Sequence, residues 1–342
     1  ADDPYEVLGT WNRDGNPDET VTPLAAIRKH AGKNLSVHYA QGLKYSRDKS
    51  DEGFAAAVEA AKKSDIVLLF IGEEAILSGE AHSRAYLDLP GAQNELIDAV
   101  AAAGKPMVAV VLAGRPLVMS AFADKVNAIL YGWHPGTMGG PAISDVLFGV
   151  ESPSGKLTIT FPKAGGQIPV YYAKKNTGRP PHVKELTMMD DIPVRAYQSS
   201  LGDASRYLDI GYKPAYPFGY GLTYTTFAYE DLKLSSPTMK LNGKLSVSAT
   251  IRNTGSVAAS EIVQLYIRDK VASITRPVRQ LKGYSRVALK PGESKTISFE
   301  LAAKDLGFFH PQKGYIIEPG EFDVWVAPNA ETGIMGGFEI SR

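Results

Sequence analysis

Within residues 73–84 the chain carries three carboxylates (Glu73, Glu74 and Glu80), one imidazole (His82) and one guanidinium (Arg84). That inventory suits proton transfer to a leaving group, because a carboxyl among charged and titratable neighbours can be poised to give or take a proton. The loop follows directly on the apolar run Asp65–Gly72, and ligands of open α/β sheets gather beyond the carboxyl ends of their strands. An acidic loop after a strand is also a common solvated connection, so residue types alone leave catalysis and solvation both open. Glu73 stands immediately after the strand and is expected to be tied into the loop's own hydrogen bonds. Arg84 is expected to pair with a carboxylate and position the loop, and His82 to be a polar loop residue. On a functional reading these three would support the site or face the substrate.

Other chemistries lack their residues. The six histidines form no HExxH and no pair at ligand spacing, which argues against a catalytic metal. Gly136, Gly139 and Gly140 miss the GxGxxG spacing and no GK[ST] occurs, so a nucleotide-binding reading has no phosphate loop. These glycines are expected instead to allow a tight turn into a helix ending near Phe148. Cysteine is absent, which removes disulfides, thiolate metal sites and a thiol nucleophile. Ser154 sits in a turn without a nucleophile-elbow pattern. No cofactor is expected. Basic and acidic residues balance at 37 each, so no net field favours nucleic acid. No apolar run approaches the roughly 18 residues that span a bilayer.

The elements that must position the loop change character along the chain. Up to residue 162, apolar runs alternate with helical stretches, which predicts an α/β layer with a mostly parallel sheet. Thr22-Pro23 opens a helix ending near Gly32, by an N-cap with proline at the first helical position. Further helices are expected over Phe54–Lys63, Gln93–Ala103, Val118–Ala123 and Pro141–Phe148. Strands are expected over Leu35–Ala40, Asp65–Gly72, Met107–Leu112 and Val126–Tyr131, and Trp133 is expected to pack against the sheet edge.

From residue 227 to 342 the period becomes two. Leu245, Val247, Ala249 and Ile251 alternate with polar residues, and Ile262–Ile267, Arg286–Leu289, Lys295–Leu301 and Phe322–Ala327 follow between Gly- and Pro-marked turns. This predicts an antiparallel β-sandwich with Trp325 in its core, serving to stabilise its neighbours or to form a homodimer interface. Residues 163–226, rich in Pro, Gly and Tyr, are expected to be a linker wrapping over the first domain. Asp190, Asp191, Arg195, Arg206, Tyr207 and Asp209 would make its interdomain bonds or border the open side of a substrate cleft, with the former favoured, and Tyr216–Gly221 would anchor it.

The segments "GEEAILSGEAHSRAYLDLPGAQNELI", "YGWHPGTMGGPAISDVLFGVESPSGKLTITFP" and "YPFGYGLTYTTF" resemble bacterial periplasmic β-glucosidases of glycoside hydrolase family 3. "RPVRQLKGYSRVALKPGESKTISF" resembles their fibronectin type III-like domain. The resemblance covers essentially the whole chain. It implies a retaining hydrolase of terminal β-D-glucosyl residues, acting on β-glucosides or cello-oligosaccharides in cellobiose degradation, in the periplasm or outside the cell. A β-xylosidase, or a non-catalytic carbohydrate-binding fragment, is the alternative. The family's "HEASSR"-like motif falls on residues 79–84, which makes Glu80 the implied general acid/base. Gly79 and His82 depart from that motif, which bears on the contacts of Glu80 but leaves its carboxyl in place. The aspartate nucleophile of such enzymes lies in an N-terminal (β/α)₈ barrel, and no stretch here has that pattern. The sheet's first strand in relatives also precedes "ADDPYEVLGTW". The chain is therefore expected to be a processed or cut piece, inactive alone and stable mainly beside a barrel fragment of the same enzyme.

Overall fold

The computed structural model describes residues 2–176, 178–181 and 186–342. It divides into two compact units, Ala1–Glu151 with Pro162–Ile168, and Ser152–Phe161 with Pro169–Arg342.

The first unit contains, in order, α1 (Pro4–Leu8), α2 (Pro23–Ala31), α3 (Phe54–Lys62), β1 (Val67–Gly72), α4 (Gln93–Ala101), β2 (Met107–Leu112), β3 (Ala128–Tyr131) and α5 (Gly139–Leu147). The three strands form a parallel sheet in the order β1-β2-β3. Central β2 keeps Ala109, Val110 and Val111 entirely from solvent, as a parallel strand covered on both faces must. Thr22 caps α2 by accepting from the Ala25 amide at 3.2 Å, with Pro23 at the first helical position. The Gly140 amide donates to Val21 O at 3.2 Å, a close approach that seats the start of α5 beside the start of α2.

Three expectations need correction. Leu35–Ala40 forms no strand: it joins no β-ladder among the described residues, and Leu35, Val37 and Tyr39 are 53%, 36% and 47% exposed. An extended segment without a ladder partner gains neither hydrogen bonds nor burial, whatever its composition. Val118–Ala123 is not helical; only one 3-10 turn forms, at Ala123–Lys125, and the Val118 amide donates to Leu87 O at 2.8 Å. The third strand starts at Ala128 rather than at Val126.

The second unit is the expected β-sandwich. Its strands are β4 (Phe227–Leu234), β5 (Thr238–Lys240), β6 (Lys244–Asn253), β7 (Ala259–Asp269), β8 (Gln280–Leu289), β9 (Ser294–Ala302), β10 (Phe308–His310), β11 (Gly314–Ile316), β12 (Gly320–Ala327) and β13 (Ile334–Ser341). Sheets of order β5-β13-β12-β7-β8 and β4-β6-β9 are antiparallel apart from the β5–β13 pair, and a small β10–β11 hairpin stands by itself. Alternate residues of β6 (Leu245, Val247, Ala249, Ile251) meet Val263, Leu265, Val324 and Val326 in one core. Trp325 is buried beneath the Arg279 guanidinium, 4.3 Å from its ring centre.

The linker reading also changes in detail. Ser152–Phe161 groups with the sandwich because Leu157 N donates to Tyr220 O, Phe161 N donates to Tyr216 O, and Lys156 pairs with buried Glu261 at 2.8 Å. Beyond residue 168 the segment also packs within this unit, with Tyr172 stacked on Phe218 at 4.3 Å and edge-on to Tyr266. Arg206 closes the segment on itself, donating to Thr187 O and Leu201 O at 2.9 and 3.1 Å. Residues 177 and 182–185 lie outside the described residues. No helix among the described residues is long and apolar enough to cross a membrane.

Candidate active site

Parallel strands deliver their following loops to one end of a sheet, and here the loops after β1, β2 and β3 meet there. β1 ends on Gly72, whose φ is 138° and whose missing side chain would stand 1.9 Å from Leu112 O. Only glycine lets the chain turn there against the end of β2. Gln93 from the start of α4 holds this corner: its Oε1 accepts from Gly72 N at 2.8 Å, and its Nε2 donates to Gly72 O at 2.8 Å and Ser46 O at 2.9 Å.

Glu73 comes next, its side chain wholly buried between two arginines. Arg84 Nη1 donates to Oε1, and Arg115 Nε donates to Oε2 at 3.0 Å. The same arginines reach on to the loop backbone. Arg115 Nη2 donates to Leu77 O and, at 2.8 Å, to His82 O, while Arg84 Nη2 donates to Asp88 O at 3.0 Å. A buried carboxylate satisfied in this way fixes both ends of the loop by charge-assisted bonds.

Glu74 is engaged as well. Arg47 grips it with Nε and Nη2, both at 2.9 Å, and the Ser46 hydroxyl donates to it at 2.6 Å. The Arg47 bonds hold its carboxyl below the usual range despite partial burial. Residues 75–82 are tied from the other side by the segment around α1. The Ala75 amide donates to Glu6, and the Thr10 hydroxyl is shared between Ala75 O and Ser78 O. Burial pushes the Glu6 carboxyl up, against the opposing pull of that amide.

Glu80 differs from both neighbours: it is exposed at the loop tip and has no polar partner among the described residues. Ala81 beside it has φ 63°, a left-handed conformation that costs a residue with a side chain and recurs at functional sites. His82 is exposed, with Nδ1 3.2 Å from Ser78 O, and so orders the loop from within. Trp11 lies alongside: it is 61% exposed, also left-handed at φ 63°, and its Nε1 is 3.3 Å from where a Gly79 side chain would begin. An exposed indole next to a free carboxyl offers a flat apolar face to a bound ring. Among the described residues no three His, Asp or Glu side chains gather as metal ligands would.

Sequence reasoning missed Glu6, Thr10, Trp11 and Arg115. Arg115 had a readable signal, since Gly114-Arg115-Pro116 follows an apolar strand just as Glu73 does. Trp133, at φ 54°, packs its ring against Tyr131 at 4.7 Å. His134, next to it, is partly buried, and that burial lowers its pKa, opposed by the charge of Glu73.

A family model described as the glycosyl hydrolase family 3 C-terminal domain matches residues 1–224, and a fibronectin type III-like domain matches residues 261–330. A periplasmic β-glucosidase of Salmonella typhimurium is 40% identical over 99% of this chain and 45% of its own length. A β-xylosidase of Formosa agariphila is 38% identical over 96% of this chain and 42% of its own length. The structure of a Listeria innocua β-glucosidase in complex with isofagomine superposes with a TM-score of 0.86 at 36% identity, covering 98% of this chain and 44% of that one. The chain thus spans less than half the length of these relatives.

Two outcomes follow from this geometry. Glu73→Ala leaves two partly buried guanidiniums facing each other and is expected to cost about 3–5 kcal/mol, seen as a lower urea midpoint. His134 has a folded pKa below its unfolded value, so it contributes stability while neutral in both states. That contribution is lost as pH falls through about 6.5, where the unfolded chain takes up the proton first. The urea midpoint should drop between about pH 7.5 and about pH 5.5 by more in the wild type than in His134→Asn.

Proposed function

Because the chain belongs to glycosyl hydrolase family 3, of which it carries the C-terminal domain, we propose that it is the acid/base-bearing part of a retaining β-glucosidase, with Glu80 as the general acid/base. One observation carries the assignment. Of the three loop carboxylates, Glu73 and Glu74 are held by arginines, whereas Glu80 is exposed and uncommitted on a loop anchored at both ends. A proton donor must be mobile enough to reach a glycosidic oxygen, yet carried by a frame that returns it to the same place.

In the proposed reaction, protonated Glu80 gives its proton to the departing glycosidic oxygen while an aspartate of the same protein, outside this chain, attacks the anomeric carbon. The aglycone leaves with that proton. Glu80, now a carboxylate, takes a proton from water as the water attacks the glycosyl-enzyme, which restores both carboxyls and retains the β-configuration. The two carboxyls of such a pair stand about 5–5.5 Å apart. Trp11 would offer its indole face to the departing sugar, and Glu73, Arg84 and His82 would hold the loop without exchanging protons with the substrate.

The part of the protein outside this chain would supply the nucleophile and most contacts to the glucosyl unit. It would also supply a strand beside β1, giving Leu35–Ala40 the ladder it lacks. Relatives more than twice as long as this chain support that division. The Salmonella relative, a periplasmic β-glucosidase, supports β-glucosides as substrates and a periplasmic setting, and the Formosa relative keeps β-xylosides as the second reading; cello-oligosaccharides, and a secreted setting, are part of our proposal.

In the complete protein, Glu80→Gln should lower kcat for alkyl β-glucosides by about 10²–10⁴-fold. Dinitrophenyl β-glucoside, whose leaving group needs no protonation, should lose less in the first step. The alkaline limb of the pH–rate profile should disappear with the carboxyl, and an unchanged limb would reject the assignment. Trp11→Ala should raise KM for cello-oligosaccharides while changing little for a methyl β-glucoside.

A further inference from the structure

The His134 imidazole and the Ser78 hydroxyl point at one spot, the space that Gly114 leaves by having no side chain. A Cβ built on Gly114 would stand 2.5 Å from His134 Nε2 and 2.3 Å from Ser78 Oγ. On its other side the ring abuts Gly9, where a Cβ would come within 2.4 Å of the ring carbon Cγ. His134 therefore occupies a slot between two glycines, with its far nitrogen aimed at the loop. Both Nε2 and Oγ are buried, and neither has a hydrogen-bond partner among the described residues. Buried polar groups are rarely left unpaired, because each would forfeit its bonds to water without return.

We propose that His134 and Ser78 form a hydrogen-bonded link over Gly114, direct or through one water, and that His134 is thereby a positioning residue for the loop that carries Glu80. The chemistry of the two groups permits it. A neutral imidazole has one donor and one acceptor nitrogen and a hydroxyl does both, so either tautomer is served. Burial favours that neutral form, against the opposing charge of Glu73. The link also enters the loop where it has most leverage. Ser78 O already receives the Thr10 hydroxyl at 3.1 Å and lies 3.2 Å from His82 Nδ1, and Glu80 follows two residues later. Arg115 grips the same loop from the end of β2, so His134 would add a hold from the end of β3. Its importance for hydrolysis rests on the assignment of Glu80; the link itself does not.

The test is amide hydrogen exchange on the full chain, read separately for residues 74–84 and for β1–β3. Ser78→Ala and His134→Asn should each speed exchange in the loop by about fivefold to tenfold, the loss of one hydrogen bond, and leave the strands unchanged. The double variant should go no further than either single. His134→Gln, whose side-chain amide reaches the position of Nε2, should restore most of the protection. Unaltered loop exchange, additive singles, or failure of glutamine to rescue where asparagine does not would overturn the link. In the complete enzyme, Ser78→Ala should lower kcat for poor leaving groups more than for good ones at unchanged KM. If the loop loosens while that ratio stays flat, the link stands but its role in positioning Glu80 falls, and the assignment of Glu80 itself is decided by the alkaline limb in Glu80→Gln.

Discussion

The first unit is organised around a single buried carboxylate. Glu73 sits where β1 gives out, with no access to water, and so must be compensated entirely by protein. Two arginines supply that compensation, and each is long enough to keep hydrogen-bonding beyond it. Arg115 reaches Leu77 O and His82 O, and Arg84 reaches Asp88 O. A charge that must be satisfied thereby becomes a clamp on the loop between. Buried ion pairs contribute little net stability but are costly to break, which suits a role in fixing geometry.

That clamp explains why neighbouring carboxylates have different characters. Glu73 and Glu74 face inward toward guanidiniums, while the chain beyond the 3-10 turn at Ala75–Leu77 turns outward and leaves Glu80 in solvent. The local backbone accepts strain to do so, with Ala81 and Trp11 both in left-handed conformations. Strain of this kind persists only where the surroundings over-determine the fold, and here bonds from Glu6, Thr10, Arg84 and Arg115 all converge on one short segment. On the proposed reading of Glu80, preorganisation of this sort would place the acid before substrate arrives and lower the cost of ordering it later.

Among the described residues of the sandwich unit, buried charges pair as Lys156 with Glu261 and Arg276 with Asp269. Its charged interior is structural: Lys156 and Tyr229 both bond Glu261, which fastens residues 152–161 to β7. Burial, reinforced by the nearby carboxylate, drives the Tyr229 phenol well above its ordinary pKa. Chemistry is thus concentrated at the sheet end of the first unit, while the second is built from alternating apolar faces. A division between a unit that presents groups and a unit that packs follows from the two periods in the sequence.

Several features were determined by the sequence itself. The apolar runs that became β1 and β2, the capped helix after Thr22, the alternation in β6 and the acidic loop after β1 are local patterns, and local patterns survive folding because they encode backbone period and burial together. Helix α1 escaped notice because its five residues are too few to show a period. Leu35–Ala40 misled because composition speaks for a strand while a strand exists only through its neighbour. Which loop carboxylate is buried and which is free, that Arg115 from 42 residues away closes the clamp, and that His134 faces Ser78 across a glycine were decided by tertiary structure alone. The physical reason is the parallel sheet: it brings the ends of three strands together, and that adjacency depends on strand order and register, which no stretch of sequence expresses by itself.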